Sequence, residues 1–76
     1  MSTHFEEAVL EETQALLDAS KDPAYNNVYQ KMLDLLEKPM LQRIMRTTDN
    51  NQSQAALVLG INRATLRTKL KRHNLI

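Results

Sequence analysis

"NNQSQAALVLGINRATLRTKLKR", residues 50–72, contains the chain's single glycine, and the fold depends on reading it as a joint between two short helices. Asn51 carries a side-chain oxygen suited to cap a helix over 52–59, whose apolar positions are Ala55, Ala56, Leu59 and, partly, Val58. Gly60 stops that helix by supplying the positive φ that a tight turn requires. Ile61 plugs the turn, Asn62 caps the next helix, and Arg63 to about His73 forms it. Two short helices joined in this way make a helix-turn-helix, spanning about residues 52–71. The small side chain of Ala56 lets the second helix cross closely, and Leu66 and Leu70 hold it against the first.

The same stretch concentrates charge. Arg63, Arg67, Lys69, Lys71 and Arg72 are half of the ten Lys and Arg residues in a chain whose net charge is only +1. Asp49 is the one acid after residue 48, whereas the preceding part carries eight acids against five bases. Such a split marks a polyanion-binding end attached to something else. At roughly 100° per residue, Leu66 and Leu70 share an inner face while Ala64, Thr68 and Arg72 lie opposite. Arg67 and Lys71 then occupy one flank, and Thr65 and Lys69 the other. Asn62 and Arg63 stand at the N-terminal tip, where a recognition helix first meets base edges. Arg bonds guanine bidentately and Asn does the same for adenine, whereas Lys69, Lys71 and Arg72 suit phosphate. Asn50, Asn51 and Ser53 serve as caps, and a helix start of this kind also binds phosphate through backbone N–H groups.

Upstream, Phe5, Val9, Leu10, Leu16 and Leu17 recur at helical spacing and predict a helix over 5–20, with acids in its first turns. "SKDPAYN" breaks it. A longer helix is predicted from about Tyr25 to Thr47, with a stripe of Val28, Tyr29, Met32, Leu33, Leu36, Met40 and Ile44, widened by Leu35, Leu41 and Met45. Pro39 lies inside it, but the four-residue spacing continues past the proline, so one kinked helix is expected rather than two. The stripe is too wide for so small a monomer to cover, which calls for a partner. The expectation is a single all-α domain, 1–76, in which helices 5–47 dimerise and 49–76 form the helix-turn-helix.

With 76 residues and no cysteine, the chain has no disulfide to staple its small core and no Cys-based zinc site. His4 and His73 are too far apart in sequence to suggest a metal site, and no cofactor is expected. No apolar run approaches the ~20 residues of a membrane span and no signal-peptide pattern follows Met1, so a soluble, cytoplasmic chain without a membrane partner is expected. No nucleophile–His–acid set or phosphate-cradling glycine loop is visible, which argues against an enzyme. His73 reads as a helix C-terminal residue favoured by the dipole.

At "NNQSQAALVLGINRATLRTKLKR" the chain resembles the Fis family, the factor-for-inversion-stimulation proteins of bacterial nucleoids. The resemblance continues through "EKPMLQRIM" with its in-helix proline and reaches more weakly to about residue 5. It implies an intertwined, all-helical homodimer of four-helix subunits whose first two helices build the shared core; here Val9, Leu16, Val28, Met32, Leu36, Met40 and Ile44 would form it. It implies double-stranded DNA as partner, with two recognition helices closer together than one turn of straight duplex allows. The DNA must then bend, and sequence is read through deformability. Asn62, Arg63 and Arg67 match the family's base-proximal positions, Thr65 a phosphate-contacting Thr, and Asn51 an Asn at the start of the first motif helix. Ser53 replaces a Thr but keeps the hydroxyl, and Lys69, Lys71 and Arg72 retain basic positions. Asp49 and Thr68 stand where the best-known members have bases, implying weaker flank contacts and less bending. Members that stimulate site-specific recombination carry an N-terminal β-hairpin arm; about four residues precede the first predicted helix here, so no recombinase contact or invertase activation is expected.

The expected role is therefore a nucleoid-associated, sequence-degenerate DNA-bending homodimer that modulates transcription or compaction. One alternative is the DNA-binding and dimerisation module of an enhancer-binding activator, which the chain's length from Met1 and lack of an ATPase region disfavour. Another is a protein-interaction module whose basic helix docks on an acidic partner. That reading leaves the Gly60 turn and the Asn62–Arg63 tip unexplained.

Overall fold

The computed structural model describes residues 3–19, 21 and 27–76. These residues form four helices and no strand: α1 (Thr3–Ala19), α2 (Val28–Thr47), α3 (Gln52–Leu59) and α4 (Arg63–Arg72). α2 begins three residues later than the spacing predicts, because Asn27 has φ +49°, a left-handed backbone that helical hydrogen bonding cannot run through. Tyr25 and the rest of the predicted break, at 20 and 22–26, lie outside the described residues. α2 continues through Pro39 as one helix.

Three helices end by the same device. After α2, Asp49 and Asn50 take φ values of +53° and +63°, and the Asn50 N–H donates to Met45 O at 2.8 Å. After α3, Gly60 takes φ +75° and the Ile61 N–H donates to Ala56 O at 3.0 Å. After α4, Asn74 takes φ +58° and the Leu75 N–H donates to Leu70 O at 2.8 Å. A left-handed residue followed by a long-range N–H bond satisfies carbonyls that a helix end leaves open. Asp, Gly and Asn are the residues that tolerate this backbone most readily. Ile61 and Leu75 then turn apolar side chains onto the core, as such closures commonly do.

The chain divides into two compact units, 1–35 and 36–76, with the boundary inside α2. The second half of α2 packs with the helix-turn-helix. In the 36–76 unit Leu41 and Met45 of α2, Ala55 and Ala56 of α3, and Leu66 and Leu70 of α4 form one buried cluster. Leu41, Ala55, Leu66 and Leu70 are at most 1% exposed. Ile44, Leu59, Ile61 and Leu75 close its edges.

The broad α2 stripe divides between two surfaces. Leu41 and Met45 face the cluster, while Leu36 and Met40 remain 42% and 40% exposed. Ile44, assigned by sequence to the dimer core, is half-buried against the helix-turn-helix cluster. Adjacent residues on a helix differ by roughly 100° in direction, so 40 and 41 serve different surfaces. Val58, read as partly inward, is exposed.

The unit up to Leu35 is organised differently. None of its described residues is buried: Phe5, Val9, Leu10, Leu17, Tyr29 and Leu35 are exposed, and Leu16, Val28, Met32 and Leu33 only half-buried. Its polar faces are tied locally by Gln14 donating to Asp18 and Gln30 donating to Asp34, each one helical turn apart.

Candidate nucleic-acid interface

The interface is built by the two helix starts of the 36–76 unit. Asn51 caps α3, its Oδ1 accepting from the Gln54 N–H at 3.0 Å, and Asn62 caps α4, its Oδ1 accepting from the Ala64 N–H at 2.7 Å. Each asparagine thereby satisfies one of the N–H groups a helix start leaves open. The same bonds fix which end of each amide faces away from its helix: the oxygen is turned onto the backbone, and the NH₂ group remains a donor. For Asn62 this modifies the expected bidentate reading of adenine, since one lone pair of its acceptor oxygen is already engaged.

Arg63 and Ser53 come together across the turn, with the guanidinium Nη1–H donating to Ser53 Oγ at 3.0 Å. Both side chains are exposed. Leu66 and Leu70, fully buried, pin α4 by its inner face. Arg67 and Lys71 are exposed on one flank and make no ion pair among the described residues; Thr65 and Arg72 are exposed too. Thr68 is turned back on its own helix, its hydroxyl donating to Ala64 O at 3.0 Å. Asp49 is exposed and has a left-handed backbone, which Asp tolerates better than most residues.

Lys69 has a partner within the chain. Its ammonium donates to Glu37 Oε2 at 2.6 Å, with side-chain exposures of 35% for Lys69 and 13% for Glu37. The other carboxylate oxygen, Oε1, lies 3.1 Å from His73 Nε2. An ionised carboxylate only accepts, so the His73 Nε2 carries the proton and donates. The Lys69 hydrogen bond lowers the Glu37 pKa; partial burial opposes this, and the His73 contact lowers it further. Lys69, predicted to face phosphate, thus has its charge matched within the protein. His73 does cap α4, its N–H donating to Lys69 O at 3.1 Å, but its ring is buried as a partner of Glu37.

Glu37 was missed by sequence reasoning. The available signal was weak: it is the one acid between residues 36 and 48, and its partners lie 32 and 36 positions away.

A helix-turn-helix with capped starts, a left-handed glycine between them and a leucine-pinned cationic helix is what residues 36–76 present. The family model for "Bacterial regulatory protein, Fis family" matches residues 28–73, more than half of the chain. The chain belongs to the Fis family. Among curated Fis proteins, the "DNA-binding protein Fis" of Buchnera aphidicola subsp. Acyrthosiphon pisum is 54% identical over 50 residues, covering 66% of this chain and 51% of that protein. The "Putative Fis-like DNA-binding protein" of Ralstonia nicotianae is 51% identical over 51 residues, 67% of this chain and 66% of the relative. The "DNA-binding protein Fis" of Escherichia coli O1:K1 / APEC is 46% identical over 50 residues, again 66% and 51% of the two chains. The match thus spans about half the length of most of these Fis relatives. No solved structure matches the chain. Among the described residues no helix is long and apolar enough to cross a membrane.

Proposed function

We propose that this chain is a homodimeric, sequence-degenerate DNA-binding and DNA-bending protein of the bacterial nucleoid that modulates transcription or chromosome compaction. The observation that carries the DNA reading is α4 itself. Leu66 and Leu70 anchor it at zero exposure, while Arg63, Arg67 and Lys71 project outward around a tip formed by Asn62. This is the arrangement a recognition helix needs: apolar residues fix its angle, the N-terminal side chains meet base edges, and flanking cations meet phosphates. Arg63 and Asn62 are assigned to bases, Arg67 to bases with phosphate nearby, and Thr65, Lys71, Arg72, Asn51 and Ser53 to the backbone. Lys69, partly exposed while bonded to Glu37, keeps further N–H donors for phosphate.

The dimer reading rests on the unburied apolar faces. Val9, Leu36 and Met40 are exposed, and Leu16, Val28 and Met32 half-buried, so these side chains lack the cover that Leu41 and Met45 have. Such a face is removed from water by a second copy. Bending follows from the resemblance: two recognition helices spaced more closely than one duplex turn engage both major grooves only on curved DNA.

Gel-shift titration in dilute salt, with crosslinking to count protomers, tests the reading. Two protomers per duplex are expected, with affinity falling steeply as salt rises, by roughly 0.9 log units per tenfold salt for each phosphate neutralised. A flat salt response, or a single protomer on the duplex, would refute it.

A further inference from the structure

The contact between Arg63 and Ser53 has more in it than two separate DNA ligands. The arginine is the first residue of α4 and the serine the second of α3, ten positions apart, and only the Gly60 turn brings them within 3.0 Å. A free arginine side chain explores many rotamers, and holding it for bidentate base contact costs conformational entropy. Here one hydroxyl limits that search before any ligand arrives. A serine hydroxyl has two acceptor lone pairs and one donor hydrogen. Arg63 uses one lone pair, and the hydroxyl hydrogen stays available for an anionic oxygen. Accepting from a cation also polarises the hydroxyl, which makes it a better donor.

We propose that Ser53 is a positioning residue for Arg63: its oxygen holds the guanidinium while its hydrogen is donated to a DNA phosphate, so backbone contact and base reading are coupled through one hydroxyl. This rests on the DNA-binding reading above. It differs from a simple phosphate contact in its consequence. A phosphate ligand strengthens all duplexes alike, whereas a residue that aims a base-reading arginine raises the ratio of preferred to unrelated sequence. The bond is solvent-exposed at both ends, so it adds little to folding stability. Its effect lies in where the guanidinium waits.

The test uses the full chain and two duplexes of equal length, one recovered by selection from random sequences and one unrelated. Ser53→Ala is expected to weaken the selected duplex about tenfold and the unrelated one about two- to threefold, so discrimination falls. Ser53→Thr, which keeps the hydroxyl, should restore both. In an Arg63→Ala background, adding Ser53→Ala should weaken both duplexes by the same small factor, because no arginine remains to be aimed. Circular dichroism should show unchanged helicity throughout. Equal weakening of both duplexes by Ser53→Ala with Arg63 present, or no weakening of either, overturns the proposal while leaving DNA binding intact. If the unmutated protein binds neither duplex in a salt-dependent way, the DNA-binding reading itself fails and takes this inference with it.

Discussion

Residues 36–76 and residues 1–35 are both helical, but only the first set closes a core. The later unit has six buried apolar side chains from three helices, whereas the described residues of the earlier one have none. The difference is not one of apolar content, since Phe5, Val9, Leu10, Leu16 and Leu17 are as apolar as the residues of α3 and α4. It is one of geometry. Tight left-handed turns at Asp49, Gly60 and Asn74 fold the later segments back on one another within a few residues. A stripe becomes a core only when something is folded against it, and among the described residues of the earlier unit none is folded closely enough to bury it.

The comparison is broken most strongly from the inside of the later unit. Leu66→Ala or Leu70→Ala removes a fully buried side chain and is expected to destabilise by about 3 kcal/mol, measured by urea unfolding followed through circular dichroism. The matched change Leu10→Ala, at a residue 71% exposed, should cost a single protomer only a few tenths of that. A large loss at Leu10 that grows with protein concentration would instead report an interface between copies of the chain.

Next in size is Glu37→Gln, which keeps the shape but weakens the charged bonds to Lys69 and His73, at a cost of about 2 kcal/mol. Its pH dependence has a definite sign. Because folding lowers the Glu37 pKa, its stabilisation is fully present above the ordinary carboxylate value and is lost as pH falls through the lower folded value. Thermal unfolding of wild type and variant should therefore converge in acid and separate toward neutrality. Equal separation at both ends would contradict the assignment.

Gly60→Ala should cost about 1 kcal/mol, read from the unfolding midpoint. Nothing lies within 4 Å of the position an added Cβ would take, so the cost is one of backbone conformation at φ +75° and not of crowding. Gly60→Asn should cost less, because Asn74 already holds the equivalent place after α4. The smallest effect belongs to Leu57→Ser, at a residue 81% exposed, expected within about 0.5 kcal/mol of wild type. A larger loss there would mean that α3 presses this face on a partner.

Much of the candidate interface is legible in the amino-acid sequence. Asn51, Gly60 and Asn62 are identifiable because caps and turns act over two to six residues, and the buried roles of Ala55, Ala56, Leu66 and Leu70 follow from spacing around those points. What spacing leaves open shares a cause. Spacing along α2 shows that it is apolar over a broad arc but does not say that 41 and 45, rather than 36 and 40, will meet the helix-turn-helix. Lys69 looks like its basic neighbours because nothing local distinguishes a lysine that will find a carboxylate 32 residues away.

What the sequence determined by itself was where helices start and stop, since those choices are made by hydrogen bonds and backbone strain among near neighbours. What only the tertiary structure decided was which face of α2 meets α3 and α4, and with it the partners of Glu37, Lys69 and His73. It decided the contact of Arg63 with Ser53 as well. Those depend on the angle at which helices cross, set by the packing of Leu41, Ala56, Leu66 and Leu70 together, and no single segment encodes that angle.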